Sequence, residues 1–150
     1  MKKLAVIFVL LLSCFFSKAQ TLNEQLYNAV KEKDTLRVEN LLNQGADANY
    51  KKKTGDFETG LLVLSVLNDD FKTVKLLVDH KAQVNWRDWF NTSALMYAAN
   101  EGDLNIIKYL LERGADIHAK DEHGNTVLSA AKEGNHPEAI KLIEASLNKN

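Results

Sequence analysis

The sequence predicts an all-α solenoid of about four stacked helix pairs, joined by projecting loops that we call fingers. Three segments align in register: Leu41–Asn49 (LLNQGADAN), Leu77–Asn85 (LVDHKAQVN) and Leu110–His118 (LLERGADIH). Asn49 and Asn85 are 36 residues apart, and Asn85 and His118 are 33 residues apart. A period of this length is typical of arrays in which each unit packs only against its neighbours.

Each unit has the pattern of two short helices. A second apolar stretch lies upstream of each aligned segment, and a fourth unit repeats it; these stretches begin at Leu26, Leu62, Leu95 and Leu128. Apolar side chains recur at helical spacing, for example at Ile107, Leu110 and Leu111. We therefore expect repeats at about residues 21–49, 53–85, 86–118 and 119–148.

Local signals mark the predicted helix ends. Ser93 and Thr126 lie at N-cap positions, where a hydroxyl accepts from free backbone N–H groups. Four residues stand where a left-handed residue should follow a helix: Gly45, Gly102, Gly114 and Asn135. Lys33 and Lys81 occupy equivalent positions, where a non-glycine residue costs on the order of 1 kcal/mol. We expect these lysines to lower the stability of the array.

The segment Asp88–Lys120 resembles an ankyrin repeat, whose pattern is Asp-x-x-Gly-x-Thr-Pro-Leu-His-x-Ala-Ala-x-x-Gly, an outer helix, then Gly-Ala-Asp-Val-Asn. Asp121–Leu128 (DEHGNTVL) matches the same opening, and the resemblance covers roughly residues 21–148. The histidine of the Thr-Pro-Leu-His stretch is replaced in every unit, by Tyr27, Val63, Met96 and Ser129. The proline is absent too, so the hydrogen bonds of that stretch should be partly lost while the apolar positions are kept.

The resemblance implies that the fingers and the first helix of each pair form a concave, protein-binding surface. Carried over by position, the candidate residues are Asp56, Phe57, Trp86, Trp89, Phe90, Thr92, Asn100, Glu101, Glu122, His123 and Asn125. The sharpest feature is Trp86, Trp89 and Phe90, three aromatic residues of roughly 150–250 Å² each in a loop that the family usually makes polar. They either pack on neighbouring fingers or contact a partner. We expect Trp86 to pack, and Trp89 and Phe90 to make the contact.

The first finger, Tyr50–Gly60 (YKKKTGDFETG), carries about three extra residues. One interpretation is a solvated, mobile loop tip. The other is a grasping loop, in which Lys51, Lys52 and Lys53 steer an acidic partner and Tyr50 or Phe57 anchors it.

The N-terminal residues 1–19 have the pattern of a secretory signal peptide. A basic start precedes the uncharged apolar run Leu4–Phe16, and Ser17 and Ala19 are the small residues of a cleavage site. We expect cleavage after Ala19, export to the periplasm or the extracellular space, and a mature domain of residues 20–150. The apolar run is shorter than the roughly 20 residues of a membrane-spanning helix. A lipid anchor at Cys14 is the alternative, although Phe15 and Phe16 continue the apolar run beyond it.

Composition argues against several functions. The chain has 19 basic and 20 acidic residues, and loss of Lys2, Lys3 and Lys18 leaves 16 and 20, a net charge of −4. Such a protein gains little from phosphate attraction, so we expect no nucleic-acid partner. The nearest histidine pair, His118 and His123, falls short of the three or four ligands that zinc normally takes. We expect no metal, no cofactor and no enzymatic activity.

The sequence therefore predicts an exported, monomeric interaction module that binds a partner protein. Two roles fit this prediction, a toxin-neutralising protein of the immunity type and an accessory protein of an envelope enzyme. A metal-dependent hydrolase that uses finger histidine and aspartate residues is a weaker alternative from another class.

Overall fold

The computed structural model describes residues 21–148, which contain eight helices and one β-hairpin. In chain order these are α1 (21–31), α2 (Thr35–Asn43), β1 (Lys51–Thr54), β2 (Phe57–Gly60), α3 (Leu61–Leu67), α4 (Phe71–Asp79), α5 (Ala94–Glu101), α6 (Leu104–Glu112), α7 (Val127–Glu133) and α8 (Pro137–Leu147). The predicted signal peptide and Cys14 lie outside the described residues.

The helices form two layers, as the repeat predicts. In the inner layer α3 packs against α5, and α5 against α7. In the outer layer α2, α4, α6 and α8 pack successively. Helix α1 continues the inner layer, because the Asn68 side chain at the end of α3 donates to the carbonyl of Val30 at 2.9 Å. The predicted solenoid of stacked helix pairs is confirmed.

A continuous apolar core runs between the two layers. Ala98 and Ala99 of α5 are fully buried, and so are Ile106, Ile107 and Leu110 of α6. The alanines allow the two helices of the unit to approach closely, while each large side chain contributes roughly 1.5–3 kcal/mol by its burial. The unit thus pairs small residues of its inner helix with large apolar residues of its outer helix. Because both sets recur at helical spacing, the apolar periodicity of the sequence was enough to predict the unit.

Side chains cap the starts of five helices, α2 and α4 to α7. Ser93 Oγ accepts from the N–H of Met96 at 3.3 Å. Thr126 Oγ1 accepts from the N–H of Ser129 at 3.1 Å, and Ser129 Oγ accepts in return from the N–H of Thr126 at 2.6 Å. Both predicted caps are confirmed. The outer helices α2, α4 and α6 are capped by aspartates that were not predicted, namely Asp34, Asp70 and Asp103.

Left-handed residues end the helices where the sequence predicts them. Lys33 and Lys81 have φ of 57° and 69°, so both lysines adopt the conformation that favours glycine. The four predicted positions are left-handed as well, namely Gly45, Gly102, Gly114 and Asn135. Asp69 and Asn91, with φ of 55° and 58°, adopt this conformation without having been predicted to.

The first finger is a regular β-hairpin, and most of its residues are exposed to solvent, as the interpretation of a solvated loop predicts. The mobility of its tip stays a prediction. β1 and β2 pair antiparallel, from Lys51 opposite Gly60 to Thr54 opposite Phe57. An isolated two-stranded hairpin is marginally stable in water. Contacts with the helices therefore stabilise this hairpin. It is a short β-element in a fold that was predicted to be all-α.

Glu24 of α1 ties the hairpin to the first unit. Its carboxylate accepts from Lys52 Nζ at 2.6 Å and from the Tyr50 hydroxyl at 2.5 Å. These two hydrogen bonds, the one from Lys52 first, hold the pKa of Glu24 below its ordinary value. The hairpin thus depends on a residue of a different helix pair.

Candidate protein-binding surface

Three exposed rings meet where the first finger reaches the second. Phe57, at the start of β2, lies 6.2 Å from Trp89 between ring centroids in an edge-to-face arrangement, and 6.0 Å from Phe90 in a stacked one. We call these three residues the aromatic tip. Their exposed fractions are 52% for Phe57, 62% for Trp89 and 44% for Phe90. The rings therefore pack on one another and still present a large apolar surface to solvent.

Trp86 is packed against the body of the protein, as expected. Its ring joins the edge of the core, and a Cβ built on Gly60 would lie 2.8 Å from the ring. The Nζ of Lys51 lies 5.4 Å from the ring centroid, within reach of a cation–π interaction. Trp86 thus supports the hairpin, whereas Trp89 and Phe90 remain exposed.

Asp88 fixes the turn of the second finger (residues 86–93). Its Oδ1 accepts from the N–H of Phe90 at 3.0 Å and from that of Thr92 at 2.9 Å. Its Oδ2 accepts from the Tyr97 hydroxyl at 2.6 Å. Burial raises the pKa of Tyr97, and the hydrogen bond to Asp88 raises it further. The turn that carries Trp89 and Phe90 is therefore held from within the chain.

The third finger (residues 119–126) has the same turn. Asp121 Oδ1 accepts from the N–H of His123 at 2.9 Å and from that of Asn125 at 2.8 Å. Partial burial acts to raise the pKa of Asp121, but the side-chain and backbone hydrogen bonds from Asn125 outweigh it, and the pKa lies below its ordinary value. Gly124, with φ of 83°, takes the place of Asn91. Glu122 and His123 then occupy the positions of Trp89 and Phe90.

Hydrogen bonds join the second and third fingers into one edge. The N–H of Glu122 donates to the carbonyl of Phe90 at 3.0 Å. Arg87 donates to the carbonyl of Lys120 at 2.9 Å and to the carboxylate of Asp116 at 3.2 Å. The aromatic tip is therefore continuous with the polar third finger.

The aligned asparagines bridge successive units at the base of the fingers. Asn49 donates to the carbonyl of Lys81 at 3.0 Å and accepts from the N–H of Gln83 at 2.7 Å. Asn85 makes the same pair of bonds in the next unit, with Gly114 and Asp116. The repeat pattern found these positions, but their bridging role becomes visible only when the units are stacked.

A groove of about 160 Å³ lies beside the second and third fingers, against α5 and α7. Its polar lining residues are Thr92, Tyr97, Asn100, Asp121, Asn125 and Glu133. Two of them are carboxylates and none is basic, so the groove is negatively charged. Asn100, half-buried, also donates to the carbonyl of Ala130 at 3.4 Å.

Comparison with known proteins settles the family. A family model described as ankyrin repeats, in three copies, matches residues 26–121. The chain belongs to the ankyrin-repeat family. Membership indicates a protein–protein interaction module, because stacked repeats of this kind present an extended binding surface.

The ankyrin-repeat relatives come from viruses, bacteria and animals. An ankyrin repeat protein of Acanthamoeba polyphaga mimivirus is 38% identical over 78 residues, which are 52% of this chain and 11% of that protein. A second protein of the same virus is 30% identical over 115 residues, or 75% of this chain and 71% of its own length. A bacterial relative, from Borreliella burgdorferi, is 29% identical over 69% of this chain and 45% of its own length. This chain thus spans about a tenth of the first relative and over two thirds of the second.

The ankyrin-repeat array brings the predicted binding residues together in part. Phe57, Trp89 and Phe90 meet in the aromatic tip, and Thr92, Asn100 and Asn125 line the groove. The exposed predicted residues Asp56, Glu101, Glu122 and His123 lie around these two features. Tyr97 and Asp121 were missed, although the aspartate that opens each ankyrin-like finger is a usable sequence signal.

The finger histidines belong to no cluster of metal ligands within residues 21–148. Among residues 21–148, no group of three or more histidine, cysteine, aspartate or glutamate side chains could hold a metal ion. His123 is exposed, and its Nδ1 lies 3.9 Å from the carboxylate of Glu122. Within the same residues, no helix has the length and apolar character needed to cross a bilayer.

Proposed function

We propose that this ankyrin-repeat chain is an exported, monomeric protein that binds a partner protein through its fingers and the concave side of its inner helices. The basic, apolar and small-residue pattern of residues 1–19 supports export. The ankyrin-repeat family, whose stacked helix pairs present an extended binding surface, supports a protein partner.

The aromatic tip is the observation that carries this proposal. Three large rings stay 44–62% exposed on turns that internal hydrogen bonds fix in place. Aromatic side chains supply much of the binding energy of interfaces because they bury a large area with few rotatable bonds. A preformed turn lowers the ordering cost of association further. Solvent-exposed rings on a fixed turn serve binding better than folding.

The two roles of the predicted interaction module would use the same surface. A toxin-neutralising protein would cover its partner and abolish the partner's activity. An accessory protein of an envelope enzyme would leave that activity intact or raise it. Adding the purified chain to the purified partner and measuring the partner's activity separates these roles.

A double substitution, Trp89→Ala with Phe90→Ala, tests the proposal. We expect the affinity for the partner recovered by crosslinking in the native envelope to fall at least tenfold. The thermal melt followed by circular dichroism should change little, because exposed side chains contribute little to folding. Leu36→Ala is the control, since Leu36 of α2 is 74% exposed outside the aromatic tip. Unchanged affinity in the double variant would contradict the assignment of the surface.

Export and monomeric state are tested separately. Mass spectrometry of the protein from intact cells should find a chain that begins at Gln20, in the fraction released by opening the envelope. A chain that begins at a lipidated Cys14, or one that retains Met1, would contradict the cleavage site. Light scattering of the purified mature chain should give the mass of a single copy.

A further inference from the structure

We infer that the surface around the aromatic tip selects a partner segment that carries lysine or arginine side chains beside apolar ones. This inference rests on the proposed function and specifies the chemistry of the partner. It depends on which charges near the fingers are neutralised within the chain and which are not.

Two cations near the fingers are paired within the chain. Lys52 is paired with Glu24 at 2.6 Å, and Arg87 with Asp116 at 3.2 Å. Lys51 lies over the ring of Trp86, whereas Lys53 and Lys120 form no ion pair among residues 21–148. Of the three first-finger lysines, only Lys53 has no ion pair or ring contact within these residues, so the interpretation that they steer an acidic partner rests on one charge.

The carboxylates around the aromatic tip and the groove remain available. Asp56 and Glu58 flank Phe57, and both are exposed. Neither they nor Glu101 and Glu133 form an ion pair or a side-chain hydrogen bond among residues 21–148. The groove itself is lined by two carboxylates and no basic residue, so the charge left for a partner there is negative.

The groove provides a place for one basic side chain. Asp121 and Glu133 are its charged lining residues, and Asn100 and Asn125 supply amide oxygens. The Tyr97 hydroxyl donates its hydrogen to Asp88, so the Tyr97 oxygen can accept a hydrogen bond from a donor of the partner. Ammonium and guanidinium groups match this set of acceptors, whereas a carboxylate or phosphate would meet like charge.

The groove and the aromatic tip are close enough for one segment to span. Thr92, which lines the groove, follows Phe90 by two residues, and the N–H of Glu122 is bonded to the carbonyl of Phe90. An apolar side chain of the partner would lie on Phe90 and Phe57 while a neighbouring basic side chain enters the groove. The exposed face of Trp89 offers a cation–π contact to a second basic residue.

Two designed peptides test this inference, and the chain supplies its own reporter. Its two tryptophans, Trp86 and Trp89, both lie in the second finger, so their fluorescence reports binding there. The mature chain is titrated with a twelve-residue peptide of alternating arginine and leucine, and then with a matched peptide that has glutamate in place of arginine. We expect saturable binding of the basic peptide, weakened roughly threefold or more between low and physiological salt. No saturable change is expected with the acidic peptide.

Charge reversal locates the contact. Glu133→Lys should weaken the basic peptide roughly three- to tenfold. Glu144→Lys on the outer helix α8, at a similarly exposed position, should leave its affinity unchanged. Equal effects of the two substitutions, or equal binding of the two peptides, would overturn the inference. The proposed function fails separately, when Trp89→Ala with Phe90→Ala leaves partner affinity unchanged.

Discussion

The second and third fingers have the same backbone turn but expose different side chains to solvent. An aspartate opens each turn, Asp88 in one and Asp121 in the other, and it accepts the same two backbone N–H groups. A left-handed residue and a capping hydroxyl follow in both. The second finger then carries Trp89 and Phe90 at the positions where the third carries Glu122 and His123.

This difference shows that folding and recognition are encoded by separate residues of the finger. The aspartate, the left-handed residue and the cap hold the turn, and all three work through the backbone. In the second finger, the two residues at the apex make no side-chain hydrogen bond to any other residue of 21–148. They can vary without cost to the turn, which leaves them free to carry binding chemistry.

The largest expected effect on stability comes from the turn aspartates. Asp88→Ala removes three hydrogen bonds and leaves the hydroxyl of partly buried Tyr97 without its acceptor, which should cost about 2–3 kcal/mol. Asp121→Ala loses the hydrogen bonds from His123 and Asn125 but leaves no tyrosine hydroxyl without its acceptor, so it should cost less. Urea denaturation of both variants measures the difference. Equal losses would show that Tyr97 does not distinguish the two fingers.

The next largest effect on stability is expected from substitutions of the left-handed residue that precedes each finger. Lys81, with φ of 69°, and Gly114, with φ of 82°, are equivalent residues of successive units. Lys81→Gly removes strain on the order of 1 kcal/mol, partly offset by the greater flexibility of glycine in the unfolded chain. We expect a net gain of about 0.5 kcal/mol, and a comparable loss for Gly114→Lys, both measured by urea denaturation. A loss of stability in Lys81→Gly would indicate that the lysine makes a compensating contact.

The first finger should respond to acid through Glu24. Its pKa is lowered in the folded protein by the hydrogen bonds from Lys52 and Tyr50. The stabilising contribution is therefore present above the ordinary glutamate pKa of 4.5 and is lost as pH falls through the lowered value. Amide NMR signals of the hairpin should shift in that range, and Glu24→Gln should remove the transition. An unchanged transition in Glu24→Gln would assign it to another group.

The smallest expected effect on stability comes from exchanging the apices of the two fingers. Trp89→Glu with Phe90→His gives the second finger the apex residues of the third. The free energy of unfolding should change by no more than about 0.5 kcal/mol. Partner affinity should nevertheless fall to that of the alanine double variant. Loss of helical signal in circular dichroism would show that the aromatic tip is needed for folding.

The parts that local sequence determines were the parts that could be predicted. Helix pairs follow from apolar periodicity, and the caps at Ser93 and Thr126 and the left-handed Lys33 and Lys81 follow from position within a unit. The hairpin was missed because the lysines, glutamate and glycine of its strands (KKKT and FETG) are depleted in β-strands, although the two-residue loop Gly55-Asp56 is a usable hairpin signal. Its support comes from Glu24, 28 residues before Lys52.

The candidate site was predicted only in part, for the same reason. Exposed aromatic residues in a usually polar loop indicated Trp89 and Phe90 without any structure. The contribution of Phe57, the groove beside Asp121 and the pairing of Lys52 with Glu24 all depend on contacts between different units. Such contacts leave no signal in a single repeat.

Site-specific crosslinking tests the central claim most directly. A photoreactive residue is placed at position 89 on the aromatic tip, or at position 36 on the outer helix, and the protein is irradiated in its native envelope. The account predicts one defined crosslinked partner from position 89, lost when Phe57 and Phe90 are replaced by alanine, and none from position 36. A partner attached through position 36 and absent from position 89 would contradict it.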